Sequence, residues 1–298
     1  MRVFVTGASG WIGSAAVEEL LAAGHEVVGL ARSDTSAASL GAKGAQVRRG
    51  DLDDLDSFRK GAAAADAVLH LANKHDFTNP AVSNQAERAA VQAIGDVLTG
   101  SGRPFLLASG VAGLAQGRVA TESDRSPFHG LQSPRGGSEN LALDFVDRGV
   151  NTVSVRFAPT VHGDGDHGFI ATLVAIAREK GVAGYVGDGT NRWPAVHRSD
   201  AARITRLGLE KAPAGTLLHA VSEEGVPTRE IAQAIGRGLG VPVTSIAPQD
   251  AHKHFGWIGR FFAMDILASS TRTQELLGWA PSGPSLIQDL DAGSYFRP

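Results

Sequence analysis

A glycine-rich segment near the start of the chain has the spacing of a phosphate-binding loop. The sequence TGASGWIG places Gly7, Gly10 and Gly13 three residues apart. In such a loop the glycines permit a tight turn, close approach of the backbone to a pyrophosphate, and tight packing of the next helix. The N–H groups at the start of that helix then bind the phosphates. We therefore predict a dinucleotide site whose loop contacts come from Gly7, Ser9, Gly10, Trp11, Ile12 and Gly13.

The residues after the second predicted strand indicate which dinucleotide binds. A site for NAD usually has an acidic residue about 20 residues beyond the glycines, where it holds the ribose hydroxyls. This chain has Ala31, Arg32 and Ser33 there. A guanidinium pairs well with a 2′-phosphate, and a serine hydroxyl can donate to it. We therefore predict NADP(H), held by Arg32 and Ser33. The alternative is a solvated Arg32 with Asp34 on the ribose of NAD, although Asp34 comes late in the register.

A second turn, Gly50-Asp51-Leu52, follows the third predicted strand. Its position predicts that Asp51 and Leu52 lie at the adenine end of the cofactor. Asp51 has an alternative role as the cap of the following helix, because aspartate is a favoured N-cap residue.

The composition excludes several other chemistries. The 298 residues include no cysteine, which removes disulfides, thiolate nucleophiles, iron–sulfur clusters and cysteine-ligated zinc. With 28 Lys and Arg against 31 Asp and Glu, the net charge of −3 argues against a nucleic-acid surface. No apolar run reaches the length of about 18 residues that spans a membrane, and no targeting segment is visible. We therefore expect a cytoplasmic protein with no membrane partner.

Short β-branched runs alternate with longer helical patterns over the first half of the chain. Strands are predicted at Arg2–Thr6, Glu26–Ala31, Gln46–Arg49, Asp66–Ala72, Pro104–Ser109 and Asn151–Pro159. Helices are predicted at Trp11–Ala23, Leu55–Ala63, Val82–Thr99 and Ser138–Asp147, with a further helical stretch ending near Gly44. Nearly continuous apolar strands that alternate with helices are typical of a parallel sheet covered on both faces. We predict an α/β, doubly wound parallel sheet of the Rossmann type.

The pattern changes after Pro159, where we predict a soft domain boundary. Residues 1–158 are expected to form the dinucleotide-binding domain and residues 159–298 a smaller α/β substrate domain. The chain is expected to return to the first domain around residues 192–222. Elements predicted here are the helices Phe169–Lys180 and Thr228–Leu239 and the strands Leu217–Val221 and Val243–Ala247. Thr228 is expected to cap its helix, and Thr271-x-x-Gln274 to form a capping box at a last short helix.

Six motifs, in order along nearly the whole chain, resemble the extended short-chain dehydrogenases/reductases. This family includes nucleotide-sugar epimerases and dehydratases and 3β-hydroxysteroid dehydrogenase-like reductases. The motifs are TGASGWIG at 6–13, GDL at 50–52, VLHLA at 68–72, RFAPTVHG at 156–163, WPAVHRSDA at 193–201 and LGWAP at 277–281. The resemblance implies a Rossmann fold that binds a nicotinamide dinucleotide. It also implies cofactor contacts after the fourth and sixth strands, which here are Leu71, Ala72, Asn73 and Pro159.

The chain departs from this family in its catalytic residues. The resemblance implies Ser or Thr after the fifth strand and Tyr-x-x-x-Lys at the next helix, with the tyrosine donating the proton. Neither of the two tyrosines is followed by Lys four residues later. One register places the pair near residues 130–131 and 134–135, and a second places it at Arg135 and Glu139. Neither register contains Tyr or Lys, so we predict an atypical active site.

Ser109 and Arg135 are the predicted survivors of that site. Ser109 ends the fifth strand and is expected to hydrogen-bond the substrate oxygen, although the register leaves Gly110 as the formal counterpart. The alternative is a serine that merely ends a strand. Arg135 is expected to replace the lysine as a ribose clamp, because it is always charged and does not readily give up a proton.

Histidines are the candidates for the missing acid, since imidazole titrates near neutral pH. We favour His162, which the resemblance places after the sixth strand, over His75 and His129. Each is individually more typical of a structural residue. The His and Asp residues of the 162–167 loop also resemble a metal site, but Asp166 is better explained as a helix cap. We predict no metal.

The aromatic residues between His254 and Met264 are expected to pack in the smaller domain. The resemblance places a substrate lid in this domain, so a part facing the cleft would favour an apolar substrate. The leading hypothesis is an NADP(H)-dependent oxidoreductase acting on a small apolar carbonyl compound or alcohol. Two alternatives are a nucleotide-sugar-type epimerase or dehydratase and a non-catalytic NADP(H)-binding sensor. The resemblance also implies a homodimer formed through the helix near residues 82–99.

Overall fold

The computed structural model describes residues 1–76 and 79–297 of the chain. The strands are β1 (Arg2–Thr6), β2 (Glu26–Ala31), β3 (Gln46–Arg49), β4 (Ala67–His70), β5 (Pro104–Gly110), β6 (Asn151–Phe157), β7 (Thr160–His162), β8 (Ala183–Val186), β9 (Arg192–His197), β10 (Leu217–Ala220), β11 (Glu223–Pro227) and β12 (Val243–Ile246). The helices are α1 (Trp11–Ala22), α2 (Asp34–Ala42), α3 (Leu55–Ala63), α4 (Pro80–Leu98), α5 (Ser138–Leu143), α6 (Phe169–Lys180), α7 (Arg198–Lys211), α8 (Thr228–Leu239), α9 (Ala251–Phe255), α10 (Gly259–Phe262), α11 (Thr271–Leu277) and α12 (Leu286–Asp291). The predicted alternation of strands and helices in the first half is confirmed.

A parallel sheet forms the centre of the molecule. In the described part of the chain it has seven strands in the order β10-β6-β5-β4-β1-β2-β3, and each adjacent pair is parallel. The strand order reverses between β1 and β4, where Thr6 at the end of β1 pairs with His70 at the end of β4. In doubly wound sheets a ligand binds outside the carboxyl ends of the strands at such a reversal. The predicted Rossmann-type fold is therefore confirmed, and the reversal locates its cleft.

Both faces of this sheet are buried. Val3 and Val5 of β1 belong to one core cluster, and Phe4 between them belongs to a second cluster on the other face. All three side chains are fully buried. Such burial on both faces explains why the strands read as continuous apolar runs rather than as an alternating pattern.

Two smaller sheets lie in the second half. One has the order β11-β9-β7 and the other pairs β12 with β8. β10 leaves this region and pairs in parallel with β6 at the edge of the main sheet. The division at residues 158 and 159 stays a prediction, because the chain crosses between the sheets more than once. No helix in the described ranges is both long and apolar enough to cross a membrane.

Several predicted ends and caps differ from the structure. β4 is shorter than Asp66–Ala72, and the helix predicted at Ser138–Asp147 ends at Leu143 and is followed by a 3₁₀ turn at Val146–Arg148. Thr228 lies inside α8, whose N-cap is Pro227. The N-cap of α11 is Ser270, and no side chain caps that helix. These short-range predictions were therefore wrong.

A capping box occurs instead at the start of α12. The Ser285 hydroxyl accepts from the Gln288 N–H, and the Gln288 side chain accepts from the Ser285 N–H. Thr271 was the wrong choice because its hydroxyl pairs with that of Ser269 at 2.9 Å. The motif needs a serine or threonine outside the first turn, and the sequence alone did not show which residue starts the helix.

Candidate active site

The glycine-rich loop after β1 packs tightly against the first turn of α1 and against the backbone of the segment after β4. Gly7 has a φ of +67°, and its carbonyl oxygen accepts a 2.9 Å hydrogen bond from the Gly10 N–H. A Cβ on Gly13 would lie 2.0 Å from the Gly7 oxygen, and one on Gly7 would lie 2.7 Å from the Ala72 nitrogen. Because these neighbours are backbone atoms, a side chain at either position would displace the main chain. The loop therefore has the close backbone approach that pyrophosphate binding requires.

Helix α1 begins directly after this loop. Its N-cap is Gly10, with no side chain capping the helix and no acidic residue in its first turn. Ser9 and Gly10 are exposed, and Ile12 is half-buried. The first N–H groups of a helix and the positive end of its dipole favour an anion. The structure thus places these predicted contacts around an anion-binding loop.

Trp11 fixes this loop against the second half of the chain. Its indole N–H donates to the Val161 carbonyl at 2.7 Å, and the Arg198 guanidinium lies 4.3 Å from the centre of its ring. The Arg198 Nε also donates to the Trp11 carbonyl at 2.7 Å. His167 meets the indole edge-on at 5.7 Å. Since the side chain of Trp11 is used in packing, its contribution to a cofactor site is its backbone N–H.

The end of β2 presents positive charge next to the start of α2. Ser33 is the N-cap of α2 and its hydroxyl accepts from the Ser36 N–H at 3.1 Å. Asp34 is in the first turn and accepts from the Arg49 guanidinium at 2.8 Å. Arg49 also donates to the Ser33 carbonyl. Arg32 is exposed and has no ion-pair partner within the described ranges. Sequence reasoning missed Arg49, although β3 pairs beside β2 and so brings its end to this corner.

The Asp51 carboxylate closes its own turn. One of its oxygens accepts from the N–H groups of Asp53 and Asp54 at 2.9 and 3.1 Å. The N-cap of α3 is Asp54, whose side chain accepts from the Ser57 N–H. The alternative that Asp51 caps this helix is therefore wrong. Leu52 packs against one of the two core clusters.

The segment after β4 lies beside the glycine loop. The Leu71 N–H donates to the Thr6 carbonyl at 3.1 Å, and the Ala72 N–H reaches the Thr6 hydroxyl at 3.4 Å. Asn73 then turns away from the loop: its amide N–H donates to Glu87 at 2.5 Å, and its amide oxygen accepts from the His75 N–H at 2.8 Å. Leu71 and Ala72 therefore border the cleft with their backbone, whereas the Asn73 side chain is bonded to Glu87 of α4.

The position of α5 favours the second register for the missing Tyr and Lys. α5 begins at Ser138, directly after a turn in which Arg135, Gly136 and Gly137 all have positive φ. The first register lies entirely before this helix. The second places Arg135 in the turn and Glu139 in the first turn of the helix. The two residues at the positions of this register are a cation, Arg135, and an anion, Glu139.

Arg135 is held by a buried carboxylate from α4. Its Nε donates to Glu87 at 3.1 Å, and its Nη2 donates to the same oxygen. Glu87 is buried, and this burial raises the pKa of its carboxyl even though Arg135 and Asn73 oppose the shift. Arg135 stays partly exposed. A clamp role for Arg135 stays a prediction, and the ion pair supplies a fixed guanidinium for it.

His75 and Arg135 are the described residues other than glycine with positive φ. Strained backbone of this kind clusters at functional sites. The pKa of His75 lies below its ordinary value because neighbouring atoms desolvate the ring and because Arg135 and His167 repel a positive charge. Burial together with Arg135 lowers the pKa of His70 to about 3. Both rings are therefore neutral near pH 7, so neither serves as a ready cationic acid.

Ser109 lies at the carboxyl end of β5 and its hydroxyl donates to Glu139 at 2.5 Å. The other oxygen of Glu139 accepts from Nε and Nη2 of Arg156 at 2.9 and 2.5 Å. Arg156 is fully buried and Glu139 nearly so, whereas Ser109 is half-buried. Sequence reasoning assigned no role to Glu139 or Arg156 beyond their places in two motifs.

The buried charges continue behind this pair. Arg156 donates to the Asp124 carbonyl at 2.7 Å, and its Nη1 lies 3.4 Å from Nε2 of His219. The other ring nitrogen of His219 lies 2.8 Å from the Ser269 carbonyl. Because a carbonyl only accepts, that nitrogen carries the proton and Nε2 is left to accept from Arg156. Burial lowers the pKa of His219, which agrees with a neutral ring.

His162 is fully buried, away from any open surface. Its Nδ1 lies 2.9 Å from the Asp289 carboxylate, and its ring meets that of His197 edge-on at 5.5 Å. A ring with no exposed surface does not touch a substrate in this conformation, so the geometry gives no support to His162 as the acid. The alternative candidate His129 is exposed and lies 3.3 Å from the Asn140 amide.

The loop after His162 is held by hydrogen bonds of its own. Asp166 accepts from the Gly168 N–H at 2.6 Å and from the Tyr295 hydroxyl at 2.9 Å. The N-cap of α6 is Gly168, so Asp166 organises the loop but is not the cap. Within residues 1–76 and 79–297 no group of three or more metal-ligating side chains is gathered.

An aromatic cluster fills the space between α6 and the segment 254–264, which contains α10. Trp193, fully buried, lies 5.1 Å from both Phe261 and Phe262, and Phe169 lies 5.2 Å from Phe261. Trp257 contacts Phe169 and keeps 43% of its surface exposed. These distances are those of favourable aromatic pairs. The expected packing is present, with Trp257 at its open edge.

A doubly wound sheet with this glycine loop at its strand reversal defines a Rossmann-type dinucleotide-binding protein. The sequence profile of the NAD dependent epimerase/dehydratase family matches residues 3–219. The chain belongs to this family, within which the extended short-chain dehydrogenases/reductases suspected from the motifs are found. Members of this family are NAD(P)-dependent oxidoreductases and epimerases.

Known proteins are similar to this chain over most or nearly all of its length. An uncharacterized protein of Schizosaccharomyces pombe is 46% identical over 297 residues, covering 99% of this chain and 100% of that protein. A 4-hydroxy-2-methyl-3-oxo-4-farnesyl-3,4-dihydroquinoline-1-oxide ketoreductase of Stigmatella aurantiaca is 29% identical over 225 residues, covering 72% and 66%. A dTDP-glucose 4,6-dehydratase of Streptomyces venezuelae, solved with NAD bound, has a similar structure with a TM-score of 0.79 and 22% identity, covering 99% and 96%. The last of these supports the fold alone.

Proposed function

We propose that this protein is an NADP(H)-dependent oxidoreductase that acts on a small apolar carbonyl compound or on the corresponding alcohol. The observation that carries the cofactor preference is the charge at the end of β2. Asp34 is already paired with Arg49, and Arg32 has no described partner. A 2′-phosphate here would meet the Arg32 guanidinium and the start of α2, each of which favours an anion.

The glycine loop fits the rest of such a cofactor. Backbone occupies the space that a Cβ would need at Gly7 and Gly13, as expected where a pyrophosphate must approach the main chain. The first turn of α1 would hold the phosphates, and the backbone of Leu71 and Ala72 would border the ribose. When bound, NADP(H) supplies hydride transfer to or from a substrate carbon.

The polar groups on the far side of the cleft would hold the reacting end of the substrate. Ser109 would contact the substrate oxygen. Arg135, fixed by Glu87, would hold the neighbouring ribose, and its permanent charge keeps it from acting as the proton donor. Pro159, after β6, would border the nicotinamide. Positioning of this kind contributes much of the rate in two-substrate reactions.

Three observations favour an apolar substrate. The aromatic cluster around Trp193 ends in the partly exposed Trp257, and α6 brings Phe169 into it directly after the loop 163–168. The ketoreductase of Stigmatella aurantiaca has a farnesyl-bearing ketone in its name. Arg192, the basic residue at the start of β9, is paired with Asp265, which leaves it committed rather than free for a diphosphate.

The cofactor proposal is tested by fluorescence titration of the purified protein with NADPH and NADH. We expect tighter binding of NADPH, and Arg32→Ala should weaken it by roughly 10-fold or more, since charge-assisted hydrogen bonds contribute about 1.5–3 kcal/mol. NADH binding should change less than twofold. Arg48→Ala is the matched control, because it removes an arginine from the neighbouring strand β3 and leaves Arg32 in place. A wild type that binds NADH more tightly than NADPH, and keeps that preference in Arg32→Ala, would contradict the proposal.

The reaction is tested separately, by following NADPH absorbance with a panel of aliphatic and aromatic aldehydes, ketones and alcohols. We expect turnover with apolar members of the panel. Binding of NADPH without turnover of any of them would instead favour a non-catalytic sensor, for which the missing Tyr and Lys are the supporting observation. Such a sensor should tolerate changes at Ser109, His162 and Arg135.

A nucleotide-sugar epimerase or dehydratase that retains NAD is the second candidate. Membership of the NAD dependent epimerase/dehydratase family favours it, while Arg32 and the absent tyrosine count against it. Turnover of UDP- or dTDP-glucose with NAD would establish it. A small-molecule substrate, a cytoplasmic location and a homodimer belong to our proposal, whereas nucleic acid and membrane partners do not.

A further inference from the structure

The hydrogen bond between Ser109 and Glu139 has a defined direction. The two oxygens of Glu139 have separate partners: Oε1 accepts from two nitrogens of Arg156, and Oε2 accepts from the Ser109 hydroxyl at 2.5 Å. Arg156 is always charged and is fully buried, so it needs a negative partner, and the Glu139 group paired with it is a carboxylate. The single proton of Ser109 is therefore committed to Glu139.

This commitment decides what Ser109 offers to a ligand. A hydroxyl has one proton and two lone pairs. With its proton on the Glu139 side, Ser109 Oγ presents only lone pairs to the cleft, and so accepts a hydrogen bond from an alcohol but does not donate one to a carbonyl. Ser109 is half-buried and Glu139 is nearly sealed, so a ligand contacts the serine first and the carboxylate only through it.

We propose that Ser109 and Glu139 form a proton relay that replaces the absent tyrosine. In alcohol oxidation the substrate O–H proton passes to Ser109 Oγ while the Ser109 proton passes to Glu139. Bound NADP⁺ would supply the acceptor for the hydride that leaves the substrate C–H bond as the C=O bond forms. The reverse reaction starts with the proton on Glu139 Oε2; this proton passes to Ser109 Oγ while the Ser109 proton passes to the carbonyl oxygen. This inference rests on the proposed oxidoreductase function and names its proton-transfer residues.

Ser109 is the catalytic residue in this relay because it touches the substrate, and Glu139 acts through it. The simpler alternative is that Glu139 only balances the buried charge of Arg156. Both N–H bonds from Arg156 to Glu139 go to Oε1, however, so the bond from Ser109 to Oε2 is not needed for that balance. The position of Glu139, four residues after Arg135, also brings it to the part of α5 that faces β5 and β6.

The charged groups around Glu139 come from several elements. Arg156 of β6 contacts it directly, and His219 of β10 and Glu122 lie behind Arg156. The turn before α5 brings Arg135 with its partner Glu87, and α4 also brings Arg88, which donates to the Gly136 carbonyl. Asp124 is paired with Arg118. His219 is neutral because burial lowers its pKa, and Glu139 is the group in this cluster that contacts the Ser109 hydroxyl.

Glu139→Gln tests the direction of the bond without any turnover. Arg156 requires an acceptor, so the oxygen of the introduced amide should face it and the amide N–H₂ should face Ser109. Ser109 would then accept from that amide and would be free to donate to a ligand. Calorimetry should show that the variant binds cyclohexanone in its NADP⁺ complex about fivefold tighter than wild type. Cyclohexanol, whose hydroxyl both donates and accepts, should bind the NADPH complexes of the two proteins with less than a twofold difference.

The same variant tests the relay in turnover. Wild-type alcohol oxidation should slow as pH falls, because Glu139 accepts the proton only when it is ionised. In Glu139→Gln we expect kcat to fall by roughly 100-fold or more, in the range of general acid–base catalysis, with KM changed less than threefold. The loss of rate at low pH should disappear from the profile of the variant.

Three further variants separate the relay from a structural role. Ser109→Thr keeps the hydroxyl and should keep most of the activity, whereas Ser109→Ala should lose it. Asp200→Asn makes the same acid-to-amide change at another buried carboxylate, which accepts from the N–H groups of Ser282 and Gly283. It should lower the melting temperature yet leave the pH profile and the ligand preference as in wild type.

The outcomes distinguish the relay from the function on which it rests. Wild-type turnover combined with an unchanged pH profile and unchanged ligand preference in Glu139→Gln overturns the relay alone. Tighter binding of cyclohexanone by wild type than by the variant also overturns it, since the Ser109 proton would then be free in the wild type. Failure of the wild type to oxidise or reduce any compound of the panel overturns the proposed function and the relay together.

Discussion

The two sides of the cleft are built from different parts of the chain. On the side of β1 and α1, the loop from Gly7 to Gly13 offers backbone N–H groups and has no room for a side chain at Gly7 or Gly13. On the side of β5 and α5, the site consists of side chains in two ion pairs, Arg135 with Glu87 and Arg156 with Glu139. The first side depends on glycines, which have no Cβ. The second side depends on which charged side chains pair with one another.

This difference has a physical consequence for substitution. A backbone site tolerates no added atom, because its neighbours are main chain and cannot rotate away. A side-chain site tolerates a change of shape but not the loss of one charge, because the partner is left buried and unpaired. We therefore expect steric changes to be most damaging at the loop and charge changes to be most damaging at α5.

Gly13→Ala should have the largest effect. The new Cβ would lie 2.0 Å from the Gly7 carbonyl oxygen. Overpacking typically costs about 1–3 kcal/mol, and because backbone must move here we expect roughly 3 kcal/mol or more of lost stability, with NADPH binding weakened beyond detection. Urea unfolding and fluorescence titration measure the two effects.

Gly41→Ala is the control for that experiment. Gly41 lies in α2, and a Cβ there would meet nothing within 4 Å. The substitution should raise stability by about 0.5–1 kcal/mol, because alanine loses less backbone entropy in a helix. Equal effects of the two substitutions would show that the loop is not sterically tight.

Arg135→Ala should have the next largest effect. It leaves the buried Glu87 with Asn73 as its remaining donor. Because Arg135 is about a third exposed, the loss should be roughly 1–3 kcal/mol, less than for a sealed pair. Burial already raises the pKa of Glu87 and this change raises it further. The penalty should therefore grow as pH rises above the pKa of an unfolded glutamate, and be larger at about pH 8 than at about pH 4.5.

The double variant Glu87→Gln with Arg135→Ala checks this explanation. Without a buried charge, it should recover most of the lost stability and the difference between the two pH values. Urea unfolding of the two single variants and the double variant at both pH values completes the cycle. A double variant as unstable as Arg135→Ala would show that Arg135 stabilises the turn through packing rather than charge.

His70→Asn should have the smallest effect, at the point where the two sides meet. His70 is buried, its Nδ1 lies 2.7 Å from the Thr6 hydroxyl, and its pKa is lowered to about 3. An unfolded histidine takes up a proton below about pH 6.5, but the folded ring does not, so stability falls as pH drops from about 6.5 towards 3. This ring alone should cost about 1 kcal/mol between pH 6.5 and 5.5. His70→Asn should reduce that slope in urea unfolding, and an unchanged slope would contradict the assignment.

The sheet and the glycine loop could be predicted because their signals are local. A strand buried on both faces is apolar at every position, and a loop that needs Gly7, Gly10 and Gly13 shows them as letters in the sequence. The caps were predicted less well. Thr228, Thr271 and Asp51 each have a suitable side chain, but the neighbouring residue that starts or caps the helix was decided by the tertiary path of the chain.

The residues on the side of β5 and α5 could be predicted only in part. Ser109 and Arg135 were found through the family pattern, and Glu139 appeared as the second member of one register. Glu87 could have been noticed as a carboxylate among the small apolar residues of α4. His162 was favoured from its place after β6, but the partner that buries it, Asp289, lies 127 residues away. No local pattern contains that contact.

The sequence by itself determined the glycine loop between β1 and α1, because backbone geometry at each glycine depends on that residue and its immediate neighbours. It also predicted that the Tyr and Lys implied by the family resemblance are missing. Only the tertiary structure decided which charged residues meet near α5. Glu87, Arg156 and Glu139 come from three separate elements, and the energy of a charge depends on its burial and its partners. Both are properties of the folded chain, and neither can be read from the residue itself.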